Sequence, residues 1–360
     1  MSLSESLSGR VGALGAAAGA LLTRAGRARH VLAAGSSRAD LEELLLATPA
    51  ERPLSMAQTA ALVERLTMEA DLRNALVAGD LVLRYHPIVD LDLGRIIAFE
   101  TLCRWRHWSK GLLGPAQFMP LAEETGLIVA IGGWVVEESS RRLALWRVRL
   151  PEADDVDVTV NLSAVELRDP ALVDRTAQAL DASGLPTGRL VVEVTEAAAY
   201  AEPQGAAVRN LTALTDLGVG LAIDDVGAPR RGSRAGHPDL DSWLWDRPVR
   251  LVKIDRSVTA VLGNAVDAGE SGADSVRRAV QLLGEVMAEA ADREVPVVAK
   301  GIETPQQLAQ LSRLGCPAGQ GFLFARPMDP ADAEAFLHRM LRTTPPRASR
   351  CPAPIPREVA

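Results

Sequence analysis

Lysine is nearly missing from this chain: Lys110, Lys253 and Lys300 stand against 36 arginines. With abundant alanine, that imbalance reads as base composition, and it makes each lysine worth a question. Cysteine is scarce too. Cys103, Cys316 and Cys351 are far apart and odd in number, with no C-x-x-C, which excludes a disulfide framework and a zinc site of the usual spacing. The simplest setting is a reducing cytoplasm. No long apolar run is present. "VGALGAAAGALL" (Val11 to Leu22) is too short and too rich in Ala and Gly to span a bilayer. Glu5 before it and arginines after it reverse the flanks of a signal peptide. No G-x-G-x-x-G follows a strand, which weakens a dinucleotide-binding reading. The net charge of −7 argues against charge-driven binding to a nucleic acid polymer.

What is present reads as globular: 360 residues, 48% apolar and 24% charged. Residues 1–70 form an N-terminal segment, helical or flexible, with a helix expected from Ser55 to Val77 on the spacing of its apolar residues. Residues 343–360 hold too much proline to pack and read as a disordered tail. Between them, over 71–342, strand-like runs alternate with helical patterns. The runs are "LVLRYHPIV", "RIIAFETLC", "VDVTVNL", "RLVVEVT", "GLAID", "VRLVKI", "VPVVA" and "GQGFLFA". Short apolar strands alternating with amphipathic helices imply parallel strands covered by helices. About eight strands suit an α/β fold of the closed (β/α)8 (TIM) barrel type; an open doubly wound sheet is the alternative.

A barrel carries its chemistry at the C-terminal ends of its strands. Those ends, in order, are Glu100, Asn161, Glu193, Asp224 with Asp225, Lys253, Lys300 and Gln320. Any one acid could merely cap the next helix. Several together at one mouth need cations to offset their repulsion. Hard oxygen donors point to Mg²⁺, Mn²⁺ or Ca²⁺, and an Asp-Asp pair can bridge two such ions in phosphodiester hydrolysis.

From about Leu72 to Met340 the chain resembles the EAL domain family of bacterial phosphodiesterases that linearise cyclic di-GMP. The resemblance rests on "ETLCR" (Glu100 to Arg104), flanked by "YHPIVDL", "RWRH" and "PLAEETGLI". The motifs "VNLS", "VEVTE", "IDD", "VKIDRS", "GIET" and "GQGFLFARPM" then follow in the family's order. It implies a modified barrel with one antiparallel strand. It also implies that Glu100, Asn161, Glu193 and Asp224 hold a first Mg²⁺ or Mn²⁺, and that Asp225 serves a second. Lys253 would orient the attacking water with support from Gln320. Arg104, beside Leu102, would grip a phosphate, and Glu196 would anchor the loop after the aspartates. A homodimer through the barrel belongs to the same expectation.

The pattern breaks in three places. "AKGIE" stands where the family usually has "AEGVE", so Lys300 replaces an expected metal-binding glutamate. The loop after Asp225 reads "DDVGAPRRGSRAGHPDLDSW" instead of "DDFGTGYSSL", bringing Pro229 and the arginines 230, 231 and 234. His86 stands where glutamine more often contacts the nucleotide. An ammonium cannot ligate a cation and repels one, so the second metal should be lost or weakened, unless the ammonium itself takes its place against Asp225. A cyclic di-GMP receptor with lost or weak hydrolysis is the first expectation. A working phosphodiesterase and a protein-interaction scaffold are the alternatives. A Schiff-base lyase using Lys253 or Lys300 leaves the carboxylates without a purpose. No cyclase-type "GGDEF" occurs in the chain.

Overall fold

The alternation read above closes into a barrel. The computed structural model describes residues 56–195, 198, 205–228, 247–263 and 270–343, without the side chains of residues 270–272. In chain order the elements are α1 (Met56–Ala78), β1 (Leu81–Asp90), β2 (Arg95–His107), β3 (Gly111–Leu113), α2 (Pro115–Thr125) and α3 (Leu127–Arg149). Then follow β4 (Asp157–Asn161), α4 (Ala164–Leu167), α5 (Leu172–Ser183), β5 (Leu190–Thr195), α6 (Ala206–Asp216), β6 (Gly220–Val226) and β7 (Val249–Ile254). The last are α7 (Arg256–Gly263), α8 (Glu270–Ala291), β8 (Val297–Lys300), α9 (Pro305–Arg313), β9 (Ala318–Gln320) and α10 (Pro330–Thr343). Among the described residues no helix is long and apolar enough to cross a membrane. Thr343, the first residue of the expected disordered tail, ends α10; the rest of that tail, residues 1–55, Glu196, Pro229 and the arginines at 230, 231 and 234 lie outside the described residues.

The described chain divides into two compact units. One comprises residues 56–82 and Trp105–Leu127. It holds α1, the β2–β3 hairpin (Trp105 paired with Leu113) and α2. Its polar anchor is His107. Nε2 lies 3.3 Å from Asp71 Oδ2, and Nδ1 accepts the backbone N–H groups of Ser109 and Lys110 at 3.2 and 3.3 Å. α1 runs through residue 70, where the sequence alone suggested a boundary.

The other unit comprises Leu83–Arg104 and residues 128–343 and is the barrel. The strand order β1-β9-β8-β7-β6-β5-β4-β2, with β1 also paired to β2, closes eight strands on themselves. β2, β4, β5, β6, β7, β8 and β9 pair in parallel around the ring, and β1 runs antiparallel to β9. The parallel strands are mostly apolar below the mouth because both faces are covered. β5 is buried at five successive positions, Leu190 to Val194.

Inside the barrel one layer is apolar: Ile88, Ala98, Val191, Ala222, Leu251, Val298 and Ala318. Side chains on a strand alternate with period two, so the next inward layer follows from arithmetic. Two residues further along the parallel strands stand Glu100, Glu193, Asp224, Lys253, Lys300 and Gln320. β1 runs the other way, so its contribution is two residues back from Ile88, at His86. Thr159 on β4 leads in the same way to Asn161. The polar mouth is the storey directly above the apolar plug.

Candidate functional site

The mouth layer is organised around two ammonium groups. Lys253 is fully buried. Its Nζ donates to Glu100 Oε2 at 2.9 Å and to both Glu193 oxygens at 2.7 and 2.8 Å. Glu100 also accepts the Gln320 amide at 2.9 Å and the Asn161 amide at 3.1 Å. Donating its nitrogen to Glu100 leaves the oxygen of Asn161 as its free donor atom for a cation. Burial alone would raise the Glu100 carboxyl, but Lys253 outweighs it and holds the group near 2. Burial, then the neighbouring Glu100 carboxylate, pushes Glu193 up to about 8. Burial opposes the charge on Lys253, and the surrounding carboxylates overcome it and raise its pKa. Two carboxylates around one ammonium, out of water, share one proton and do not both ionise readily near neutral pH.

The second ammonium, Lys300, meets the end of β6. Neighbouring residues on a regular strand face opposite sides, yet Lys300 Nζ donates to Asp224 Oδ1 at 2.7 Å and to Asp225 Oδ1 at 2.5 Å. A break in the β6–β7 register between Ile223 and Val226 makes this geometry available. Within it Asp225 takes φ 56°, a left-handed conformation rare for a side-chain-bearing residue. The bulge turns Asp225 to the same side as Asp224. The Asp225 N–H closes it by donating to Asp224 Oδ1 at 2.8 Å. After Lys300 the chain turns at once through Gly301, φ 75°. It enters α9 through a capping box in which the Thr304 hydroxyl accepts from the Gln307 N–H at 3.2 Å, and Gln307 Oε1 accepts from the Thr304 N–H at 2.9 Å.

The rim carries the other expected residues. Glu100, Leu102 and Arg104 share one face of β2 by the period of two and climb from buried Glu100 to partly buried Leu102 and Arg104. Arg104 Nη1 donates to the Cys103 carbonyl at 2.9 Å. Burial lowers the His86 pKa, favouring the neutral ring, and Nε2 is buried without a hydrogen-bond partner. That ring lies 6.0 Å from Phe322, which is 45% exposed, and the Arg326 guanidinium covers Phe322 at 4.4 Å. Sequence reasoning did not single out Gly321. A Cβ there would stand 2.1 Å from the Ile302 carbonyl oxygen and 2.3 Å from its nitrogen. That close approach seats Gln320 beside Glu100, and only the "GQG" beside the strand end hinted at it.

Does this set fit divalent metal? Among the described residues no three His, Cys, Asp or Glu side chains converge as a metal cage; the acids converge on ammonium groups instead. The donors of Glu100, Asn161, Glu193 and Asp224 are hard oxygens on adjacent strand ends, with Asn161 paired directly to Glu193, and their chemistry fits one hard divalent ion. Asp224 and Asp225 do not fit a second, because Lys300 already bridges them. Charge agrees. With Glu193 deprotonated, as ligation would require, Glu100, Glu193, Asp224 and Asp225 against Lys253 and Lys300 leave two negative charges, which one divalent ion would neutralise.

Residues 69–327 match the EAL domain model. Over 266 residues the chain is 39% identical to the bifunctional diguanylate cyclase/cyclic di-GMP phosphodiesterase MucR of Pseudomonas aeruginosa, covering 74% of this chain and 36% of that one. It thus spans about a third of that relative's length. A solved structure, the PaMucR phosphodiesterase in complex with c-di-GMP, superposes with TM-score 0.63 at 36% identity, covering 74% of this chain and 99% of that one. The FimX EAL domain from Pseudomonas aeruginosa bound to c-di-GMP superposes with TM-score 0.60 at 25% identity, covering 72% and 96%. A closed barrel with one antiparallel strand, its polar mouth layer and a family model matched over most of its length mean that the chain belongs to the EAL domain family.

Proposed function

We propose that this chain is a cyclic di-GMP-binding receptor of bacterial signalling whose phosphodiesterase activity is lost or weak. One observation carries the reading: the Lys300 ammonium bridges Asp224 and Asp225 at 2.7 and 2.5 Å, where hydrolysis by the family calls for a second metal. The ligand is a compact dianion. Arg104 takes a phosphate through a charge-assisted guanidinium contact, Leu102 packs beside it, and His86 offers its unpartnered Nε2. Glu100, Asn161, Glu193 and Asp224 hold one Mg²⁺ or Mn²⁺, which when bound supplies positive charge toward a phosphodiester oxygen. Lys253 keeps Glu100 and Glu193 in place, and Gln320 fixes Glu100 from the other side. The reading includes a cytoplasmic location, a barrel domain over 71–342 and a homodimer through the barrel.

A working phosphodiesterase giving linear pGpG is the second reading. It is favoured by the completeness of the first-metal donors, with Lys253 and Gln320 on the same layer. Calorimetric titration of the full chain with cyclic di-GMP, with and without Mn²⁺, combined with product analysis, separates the readings. Binding without pGpG supports the receptor; rapid pGpG formation supports the enzyme. No binding in the presence of Mn²⁺ rejects both and leaves a protein-interaction scaffold.

A further inference from the structure

The end of β6 carries three features that are each unfavourable alone. Asp225 holds φ 56°, a conformation that strains a residue with a side chain. Two carboxylates are turned to the same side. The β6–β7 ladder is broken between Ile223 and Val226. In a two-metal site, bound cations could offset all three. Here one side chain touches both carboxylates, and it comes from β8, two strands away in the barrel order. The Lys300 side chain is 17% exposed against 6% for Asp224, so water screens that contact little; Asp225 is 42% exposed and its contact is partly screened. Burial opposes its charge, but the two aspartates dominate and raise its pKa.

We propose that Lys300 is a resident counter-ion, a positioning residue that holds the Asp224–Asp225 bulge folded and charge-compensated with no metal at this position. The bulge is then a permanent part of the fold, not one assembled by a second ion. The inference rests on the β6–β8 geometry alone and stands whether or not the barrel binds a nucleotide.

Hydrogen exchange of the full-length protein tests it without any nucleotide, comparing EDTA with saturating Mn²⁺. The segment Asp225–Ala228 is the reporter; within it the Ala228 N–H donates to the Asp225 carbonyl at 3.1 Å. β5, Leu190–Thr195, is the internal control. On adding Mn²⁺, wild-type exchange at the reporter should slow by less than about twofold beyond β5, whose Glu193 reports an ion at the first position. Lys300→Met in EDTA should exchange at least about tenfold faster there, with β5 unchanged. Lys300→Glu should also be fast in EDTA and should slow again with Mn²⁺. Slowing of the wild-type reporter with Mn²⁺ by tenfold or more beyond that of β5 overturns the proposal, as does a Lys300→Met protein that matches wild type in EDTA. If Lys300→Met loses β5 protection as well, Lys300→Gln replaces it, and the wild-type arm decides without any variant.

Discussion

Removing the Lys253 ammonium should expose how much the mouth layer costs the fold. Lys253→Met keeps the length and apolar stem of a side chain that is 0% exposed, and it deletes three hydrogen bonds of 2.7 to 2.9 Å. Two carboxyls remain in the barrel interior with no ammonium. Glu193, already raised to about 8, carries its proton at pH 7, so the stranded charge is Glu100. Its cheapest escape is to take up a proton too. From an ordinary value of about 4.3, that costs about 1.36 kcal/mol per pH unit, or about 3.7 kcal/mol at pH 7 and about 1 kcal/mol at pH 5. The first figure falls in the range of about 3–5 kcal/mol seen when one partner of a buried pair is removed. Urea unfolding in EDTA at the two pH values is the assay. The variant should lose about 4 kcal/mol at pH 7 and only about 1 kcal/mol at pH 5, and Lys253→Met combined with Glu100→Gln should recover most of the pH 7 loss. A variant as stable as wild type at pH 7 would falsify the idea that Lys253 neutralises this layer. An equal loss at both pH values would move the cause from charge to packing.

Other outcomes follow from neighbouring geometry. Lys300→Glu removes the ammonium and supplies an oxygen donor, so pGpG formation in Mn²⁺ should rise at least about tenfold, which needs about 1.4 kcal/mol of barrier; a wild type equally fast would show that Lys300 is no obstacle. Arg104→Ala should abolish cyclic di-GMP binding in calorimetry, and retained affinity would remove Arg104 from the phosphate contact. Glu193, with a folded pKa of about 8 above its unfolded one, contributes stability that is full below about pH 4.3 and is lost as pH rises through 8. Metal-free protein should therefore lose up to about 1.4 kcal/mol per pH unit across that window, and Glu193→Gln should flatten the slope. Gly321→Ala forces a methyl to 2.1 Å from the Ile302 carbonyl and should cost at least about 2 kcal/mol in thermal unfolding.

The barrel was legible because its strands are apolar runs separated by amphipathic helices, a pattern that survives in one sequence. The elements that escaped are short. β3 has three residues and α4 four, too few for any period to show, and α7 begins on the charged "DRS" after β7, which reads as loop. β8 begins at Val297 instead of Val295 because Val295 donates its N–H back to Ala290 at 2.9 Å, closing the end of α8. At the site, the residue types at the strand ends could be read off directly, but their partners could not. Nothing in "IDD" reveals a register break that turns both aspartates to one side, because a bulge depends on the pairing strand. His86 shows the limit most clearly. The family resemblance put it at the nucleotide, but from the residues alone its place in the mouth follows only once β1 is known to run backwards, and no local feature of "YHPIV" reports direction.

The bridge between Lys300 and the aspartate pair also has a genetic reading. Lysine and glutamate codons differ only in their first base, so a single A-to-G transition exchanges the ammonium for a carboxylate on the same backbone. Neither the apolar plug below nor the Thr304 cap beyond has to change with it. On the receptor reading, silent binder and hydrolase are adjacent genotypes on one scaffold. A population carrying this gene could cross between relaying the nucleotide's level and lowering it in one mutational step, and could return as easily.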